Sequence, residues 1–374
     1  MMLLIIIFHQ IVKTLNEVDL NELNLLNPVA FNLLKGNIIV FSNKGFHTFD
    51  QDFNLLYDNS FAEEIIPDYS YLTSNLYFPS FLQIPEEEGY VIFLFLKTIY
   101  YFNYNGDFKK SFDLEDLSNI NNAVVSNYDL TYYKTVDLEY YYTIIVCDLQ
   151  DYYGNMYLFY YKINLNGDNT LITKNIYYNT DEPISQDCTI TCQKLITNDN
   201  NKYITCFYQY STYTNKIIKE LSFEPDNNFS YINDNKYIET IDGNHMFRYA
   251  VSTANEDNSK AYVCYSSYDQ YVSCFYFDIN QKEFSTIYIF GEKGCKSNFY
   301  SLNLNYNNKN KEYIFSCVNS QQNGFYIIKF EENMNFIQPS INGNFSKLED
   351  QCFVTKTGSI IYLSKYDQYK FICL

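Results

Sequence analysis

The chain has 374 residues and a formal net charge of -18 at pH 7, and 47% of its residues are apolar. That apolar fraction can build a core, which argues against a disordered chain. The acidity, with Arg248 as the single arginine, argues against nucleic-acid binding, because phosphate contacts need clustered Lys or Arg. Residues 90–102 form the longest internal apolar run, which is too short to cross a bilayer, so we expect no membrane-spanning segment in the mature chain.

Residues 1–12 have two interpretations. Met1 to Phe8 is apolar throughout, like the core of a signal peptide, although no positive charge precedes it and no small-residue cleavage site follows it. The alternative is a hydrophobic first strand. We adopt the signal peptide, largely because of the cysteines described below, and expect an extracellular or cell-surface protein. The first-strand alternative fits a cytoplasmic one.

A short phrase recurs six times along the chain: an apolar residue, a group of Asp, Asn or Glu positions, and then the apolar start of the next segment. The first polar residues, at positions 50, 103, 164, 224, 278 and 331, lie 53, 61, 60, 54 and 53 residues apart. Hairpin turns use these residue types for left-handed backbone and for side-chain-to-backbone hydrogen bonds. The phrase therefore predicts the turn between the third and fourth strands of a repeated unit of about fifty residues.

The first unit shows the strand pattern most clearly, with short strands predicted over 31–34, 37–42, 46–49 and 53–57. Four short strands joined by tight polar turns are typical of one blade of a β-propeller. The predicted blades cover residues 28–60, 79–114, 127–178, 186–232, 245–289, 294–338 and 346–374.

The C-terminal end predicts how the ring closes. Residues 358–364 match residues 36–42 at an offset of 322, and the chain stops at Leu374, where the third strand of a seventh unit should end. The missing fourth strand is expected within residues 13–20. The fold class is therefore all-β, a single propeller domain over 13–374 with seven four-stranded blades. Six blades with an irregular C-terminal cap are the alternative.

This layout resembles the seven-bladed β-propeller superfamily, including its WD-repeat and quinoprotein-like groups. The resemblance covers nearly the whole chain, in period and strand pattern alone. The chain has no Trp, hence no Trp-Asp dipeptide, and no Gly-His signature. No functional residues of those groups can therefore be placed on it.

The ten cysteines all lie from Cys147 onward, and none has the spacing of a zinc site. Bridges between neighbouring strands require facing side chains. The candidate disulfides are Cys192–Cys206, Cys264–Cys274, Cys295–Cys317 and Cys352–Cys373. The alternative is that buried cysteines act as small hydrophobic residues in a reducing cytosol. The candidate N-glycosylation sites are Asn228 and Asn344, both in predicted loops.

Catalytic motifs are weak in this sequence. The polar turns lack the spacing of calcium loops, and His47 and His245 have no nucleophile motif beside them. The Glu pairs and triplets at 63–64 and 86–88 are predicted to be solvated loops. We therefore predict no catalytic, cofactor or metal site, and a non-enzymatic binding module for a protein or glycan partner. An intracellular protein-interaction scaffold is the alternative, ahead of a glycan hydrolase.

Overall fold

This computed structural model describes part of the chain. The described residues are 16–19, 28–34, 37–42, 45–50, 54–60, 80–84, 89–94, 98–103, 107–113, 124–134, 140–150, 153–163, 170–179, 186–211, 215–224, 230–240, 247–267, 272–290, 302–307, 310–319, 324–344, 350–354, 360–364 and 370–373. They form β-strands and the turns between them, gathered into seven antiparallel sheets.

The first three sheets are each built from four strands that follow one another in the chain. Strand β1, Asn16–Asp19, precedes them and belongs to the last sheet. The first sheet contains β2 to β5: Pro28–Leu34, Asn37–Ser42, Gly45–Phe49 and Leu55–Ser60. The second contains β6 to β9: Ser80–Ile84, Gly89–Leu94, Thr98–Asn103 and Phe108–Asp113. The third contains β10 to β13: Val124–Lys134, Tyr140–Gln150, Tyr153–Ile163 and Thr170–Asn179.

The next three sheets repeat this order with one variation. The fourth contains β14 to β17: Gln186–Ile196, Lys202–Ser211, Asn215–Glu224 and Ser230–Thr240. The fifth contains β18 to β22: Phe247–Ala254, Lys260–Ser267, Val272–Asp278, Glu283–Phe284 and Tyr288–Phe290. The sixth contains β23 to β26: Leu302–Asn307, Glu312–Asn319, Gly324–Phe330 and Phe336–Asn344. In the fifth sheet the outer position is divided, because β21 and β22 both pair with β20.

The seventh sheet joins the two ends of the chain. Its last strands are β27, β28 and β29: Asp350–Val354, Ile360–Ser364 and Lys370–Cys373. Strand β1 pairs antiparallel with β29, with Asn16 opposite Cys373 and Asp19 opposite Lys370. The sheet order is therefore β1-β29-β28-β27. Strand β1 lies within residues 13–20, where the sequence places the missing fourth strand.

Each copy of the polar phrase begins at the end of the third strand of its sheet and precedes the fourth strand, where the repeat predicts a turn. The copies over 278–282 and 331–335 are described throughout and form turns closed by backbone hydrogen bonds. The connected pairs are β4 and β5, β8 and β9, β12 and β13, β16 and β17, β20 and β21, and β25 and β26. Lys282 and Met334, in the last two of these turns, have φ of 57° and 67°. These two turns thus use left-handed backbone, although it falls on Lys282 and Met334 and not on the Asp and Asn residues for which the phrase predicts it.

The described core lies between neighbouring sheets, whose first strands are packed against each other. Strand β14 contacts β10 on one side and β18 on the other, and β18 in turn contacts β23. One apolar cluster fills the space between the fourth and fifth sheets, around Phe207, Val263 and Phe275. A second fills the space between the fifth and sixth, around Tyr262 and Tyr313. The fifth sheet therefore buries both of its faces, one against the fourth sheet and the other against the sixth, as a unit in a row of repeats does.

Candidate protein-interaction surface

Large apolar side chains are exposed on the outer strands of four sheets. Leu55, Leu56 and Tyr57 follow one another on β5 and are 38%, 44% and 39% exposed. The others are Phe108 on β9, Ile289 on β22, and Phe336 and Ile337 on β26. We call these seven residues the outer-edge surface. Among the described side chains they are the large apolar residues classed as exposed, and each lies on an outer strand of its sheet.

The polar turn before β5 determines where the first part of this surface begins. The backbone N–H of Asn54 donates to Asp50 Oδ1 over 2.8 Å, and Asn54 Nδ2 donates to Asp50 Oδ2 over 2.8 Å. The backbone N–H of Asp50 donates to the carbonyl of Asn54 over 3.0 Å. These bonds close the turn and position Leu55 as the first residue of the edge strand. The polar phrase thus has a structural role that places the apolar residues after it.

Behind β5, a buried histidine ties this edge strand to the sheet. His47 lies opposite Asp58 across β4 and β5, and its Nδ1 is 3.0 Å from Asp58 Oδ1. Burial lowers the pKa of His47 below its ordinary value of 6.5, and the charge and hydrogen bond of Asp58 oppose that shift. The His47 side chain is 2% exposed, so it supports the strand from behind. The pair is thus a structural contact between β4 and β5.

On the sixth sheet, aromatic rings hold the exposed Phe336. Its ring centroid lies 5.9 Å from that of Phe290, on the fifth sheet, at an interplanar angle of 24°. Phe290 is buried and also stacks on Phe330, with centroids 5.3 Å apart. In the turn before Phe336, the backbone N–H of Met334 donates to the carbonyl of Glu331 over 2.9 Å. The exposed ring is therefore the outer end of a buried aromatic stack.

Exposed carboxylates border the outer-edge surface. Asp58 follows Tyr57 directly, Asp107 precedes Phe108, and Glu331 and Glu332 lie in the turn before Phe336. All four are exposed, in a chain whose net charge is -18. The surface thus combines apolar side chains with negative charge, so it is complementary to a segment that carries apolar and basic residues.

Three polar side chains of the first strands form hydrogen bonds between the fourth and fifth sheets. Thr191 Oγ1 on β14 and Ser252 Oγ on β18 are 2.7 Å apart. Gln193 Nε2 donates to both the Oγ and the carbonyl of Ser252 over 2.9 Å. The three side chains form a polar seam that joins the fourth sheet to the fifth. We name Thr191, Gln193 and Ser252 the inner seam.

A second polar group is buried within the fourth sheet. Ser222 donates to the carboxylate of Glu220, and Ser222 Oγ lies 2.9 Å from Thr205 Oγ1. All three residues are fully buried. Sequence reasoning missed this group, because alternation along β16 alone does not reveal a carboxylate facing the next sheet.

The candidate disulfides have different outcomes in the structure. Cys264 and Cys274 lie opposite each other on β19 and β20 and form a disulfide. Cys192 and Cys206 lie opposite each other on β14 and β15 as buried thiols, so a bridge between them stays a prediction. Cys317 lies on β24, whereas Cys295 lies outside the described residues.

The suggested bridge between Cys352 and Cys373 conflicts with the strand order. Cys352 lies on β27 opposite Tyr362, and Cys373 lies on β29 opposite Ile361, with β28 between the two strands. Two strand spacings separate Cα atoms by about 9–10 Å. Disulfides require about 4.4–6.8 Å. The register therefore argues against a direct bridge.

One glycosylation candidate lies on a strand, and several other candidate residues lie outside the described part of the chain. Asn344, predicted in a loop, is the last residue of β26 and lies opposite Gly324. Outside the described residues are His9, Glu63, Glu64, Glu86, Glu87, Glu88, Asn228 and His245.

Two kinds of feature are absent from the part of the chain that the structure describes. No three His, Cys, Asp or Glu side chains gather in a way that could hold a metal ion. No described helix has the length and apolar character needed to cross a membrane.

Sequence reasoning also missed the outer-edge surface. The signal was present, because Phe108 and Phe336 are the second apolar residues of their phrases, and Leu55-Leu56-Tyr57 follows the first phrase directly. The pattern marks these residues as strand starts. Their exposure depends on which neighbour covers the outer strand, and the pattern holds no information on that.

Comparison with known proteins identifies the fold. No protein-family profile and no curated protein matches the chain. Among solved structures, the β-propeller domain of Nup133 from Vanderwaltozyma polyspora is 13% identical with a TM-score of 0.50, over 95% of this chain and 94% of that one. A protein from Lactobacillus plantarum is 9% identical with a TM-score of 0.50, over 85% of each chain. The Pan2 WD40 domain from Neurospora crassa is 11% identical with a TM-score of 0.48, over 96% of this chain and 93% of that one.

The Nup133 domain is a β-propeller, so the resemblance predicted from the repeat is confirmed at the level of fold. At such low identities the likeness concerns the fold alone, and no specific family is indicated.

Proposed function

We propose that this protein is a non-enzymatic binding module that contacts a protein partner through its outer-edge surface. The observation that carries the proposal is the run Leu55-Leu56-Tyr57, three consecutive exposed apolar residues on the edge strand β5. An edge strand presents backbone groups that another chain can pair with, and soluble proteins normally protect such edges with charge or bulges. Apolar residues there are typical of an interaction site.

The expected partner segment is extended and carries apolar and basic residues. An added strand would pair with the backbone of β5 and pack alternate side chains against Leu56 and its neighbours. The exposed carboxylate of Asp58 lies at the same strand and attracts a basic residue. A protein segment therefore fits this surface better than a glycan, which would need polar groups arranged around an aromatic platform.

The seven sheets are proposed to be the blades of one closed ring. The support is the pairing of β1 with β29, which gives the C-terminal sheet its fourth strand. Ring closure leaves each blade with one outer edge, and the outer-edge surface lies on four of these edges.

The polar side chains at the inner strands of the fourth and fifth sheets are consistent with a partner contact at the outer strands. At the described inner strands of the fourth and fifth sheets, the polar groups of Thr191, Gln193 and Ser252 are engaged with one another. Their hydrogen-bonding capacity is thus used to join sheets. The proposed partner contact lies at the other end of the sheet.

We also propose that the protein is secreted or displayed on the cell surface. The support is the disulfide between Cys264 and Cys274, together with the apolar run at residues 1–8. Disulfides persist in oxidising compartments and are rare in the cytosol. A reduced protein recovered from the cytosol of its native cells would contradict this part of the proposal.

The binding proposal is tested by charge substitution with a matched control. Leu56→Lys places a positive charge in the outer-edge surface, and Gln281→Lys places the same charge at an exposed position in a turn of the fifth sheet. Extract from the cells that produce the protein is passed over the wild type and both variants. We expect specific proteins to be retained by the wild type and by Gln281→Lys and to be reduced at least about tenfold by Leu56→Lys, a loss of about 1.4 kcal/mol in binding.

Both variants should unfold at the wild-type temperature, because each substitution replaces an exposed side chain. Equal retention by all three proteins would show that the outer-edge surface is not the binding site.

A further inference from the structure

We infer that Cys192 and Cys206 are a second cross-strand disulfide site, closed by exchange with a small-molecule disulfide. Neither cysteine belongs to the outer-edge surface, so this site does not depend on the proposed partner contact. It rests on the register of β14 and β15, on the turn that joins these strands, and on the disulfide already present in the neighbouring sheet.

The turn between β14 and β15 determines which residue pairs are hydrogen-bonded. The backbone N–H of Thr197 donates to the carbonyl of Asn201 over 2.9 Å, and Asn200 N–H donates to the carbonyl of Thr197 over 2.8 Å. Thr197 and Asn201 are therefore a hydrogen-bonded pair at the end of the ladder. In an antiparallel ladder such pairs alternate with pairs that share no backbone hydrogen bond.

Counting along the ladder places the two cysteines at the closer kind of pair. Ile196 faces Lys202, and the register continues without a shift to Cys192 facing Cys206. Cys192 lies five residues before Thr197, an odd number, so its pair is not hydrogen-bonded. The Cα atoms of such pairs are about 4.5 Å apart, against about 5.5 Å at hydrogen-bonded pairs. Directly facing cysteines at this separation meet the distance requirement for a disulfide.

The fifth sheet shows that this chain accommodates a bridge of the same kind. Cys264 and Cys274 face each other on β19 and β20, with Cα atoms 4.1 Å apart, and form a disulfide. Both of those residues are fully buried, and Cys192 and Cys206 are 4% and 0% exposed. In adjacent sheets, both cysteine pairs thus lie directly opposite each other on neighbouring strands and are buried.

The closing reaction is a two-step exchange. The thiolate of one cysteine attacks a sulfur of the small disulfide, forms a mixed disulfide and releases one small thiolate. The second cysteine then attacks the protein sulfur of that mixed disulfide and releases the other small thiolate. Two electrons pass from the cysteine sulfurs to the small disulfide, and the two thiol protons end on the released thiols. Because both cysteines are buried, the exchange takes place while the chain folds.

Peptide mapping provides the test, because lysines separate the two cysteines. The full chain is reduced, unfolded and refolded with reduced and oxidised glutathione, then alkylated and cleaved after Lys and Arg. Cleavage places Cys192 in peptide 175–194 and Cys206 in peptide 203–216, whereas Cys264 and Cys274 stay together in peptide 261–282. The proportion of oxidised glutathione is raised until peptide 261–282 is closed, which makes that peptide the internal reference.

We expect peptides 175–194 and 203–216 to be recovered as one cross-linked species that reduction separates. Peptide 175–194 also contains Cys188, which faces Tyr210, and this provides a matched control. The cross-link should be lost in Cys192→Ser and kept in Cys188→Ser. Separate alkylated peptides in the wild type, with peptide 261–282 closed, would overturn the inference. So would a cross-link that disappears in Cys188→Ser and survives in Cys192→Ser.

Discussion

Aromatic rings fill two neighbouring interfaces in different ways: the one between the fifth and sixth sheets, and the one between the fourth and fifth. In the former, rings stack face to face: Tyr262 and Tyr313 have centroids 3.9 Å apart at 23°, and Tyr313 and Phe330 are 5.4 Å apart at 15°. In the latter, Phe207 meets Phe275 and Phe277 edge-on, at 72° and 65°. Among the hydrogen bonds described, the inner seam is present in the fourth–fifth interface alone.

The difference shows that one repeated backbone accepts two kinds of packing. Stacked tyrosines bring hydroxyl groups into the core, and that of Tyr262 donates to the carbonyl of Glu332, in the next sheet, over 2.7 Å. Edge-on phenylalanines need no such partner, and the polar contacts of that interface lie at the inner seam and at the turns. At the turns, the N–H of Asn198 donates to Asn280 Oδ1 and the N–H of Ile196 donates to the carbonyl of Asn258, each over 2.8 Å. The polar link described in the fifth–sixth interface is therefore made by a hydroxyl of the ring stack, whereas those of the fourth–fifth interface lie outside its ring cluster.

The largest expected effect comes from removing a ring from each interface. Tyr313→Ala and Phe207→Ala should each lower the free energy of unfolding by about 3–5 kcal/mol, because both side chains are fully buried. Urea unfolding measures the loss. Tyr313→Phe keeps the stacked ring and removes only a hydroxyl, so it should cost about 1 kcal/mol or less. If Tyr313→Ala cost no more than Tyr313→Phe, the stack would contribute nothing to the fifth–sixth interface.

The second prediction concerns alkaline pH. Burial, with a smaller contribution from Glu332, raises the pKa of Tyr262 above its ordinary value of 10.0, and burial also raises the pKa of Tyr313. The unfolded chain loses these protons near pH 10 while the folded chain keeps them. Their contribution to stability is therefore complete below pH 10 and is lost as pH rises, by at most about 1.4 kcal/mol per pH unit for each hydroxyl.

Urea unfolding between pH 9 and pH 11 measures this slope. The double variant with Tyr262→Phe and Tyr313→Phe should show a shallower loss than the wild type. Tyr57→Phe, at an exposed tyrosine, is the control and should keep the wild-type slope. Identical slopes in all three proteins would contradict the assignment of alkaline sensitivity to the stacked pair.

The smallest effect is expected at the inner seam. A double-mutant cycle with Thr191→Val and Ser252→Ala isolates the hydrogen bond between these hydroxyls, and we expect a coupling of about 0.5–1.5 kcal/mol. Ser252→Ala alone should cost more than Thr191→Val alone, because Gln193 also bonds to Ser252. A coupling indistinguishable from zero would mean that the seam does not stabilise the fourth–fifth interface.

The sequence predicts the turns of this fold well because their chemistry is local. Asp50 and Asn54 bond to each other within five residues, and Asn258 takes φ of 59° in the turn between β18 and β19. Such positions are written in residue type and spacing. The location of β1 follows from the same repeat, once the last unit is seen to lack its turn.

Other features depend on neighbours that are distant in sequence. The divided outer strand of the fifth sheet includes a bond from Ser285 N–H to the carbonyl of Tyr276, which a strand pattern does not show. The suggested Cys352–Cys373 bridge assumed adjacent strands, although β28 lies between them. The exposure of Leu55, Leu56 and Tyr57 likewise depends on tertiary packing. A sequence pattern can thus place a strand without identifying what covers it.

The pairing of β1 with β29 has a mechanical consequence. Asn16 lies opposite Cys373, so the chain enters β1 and leaves β29 at the same end of the sheet. A force that pulls these two points apart would open the ladder one residue pair at a time, beginning with Asn16 and Cys373. Tension would therefore be resisted by single pairs in succession and not by all four pairs at once, which makes this ladder weak against a force applied at these two points.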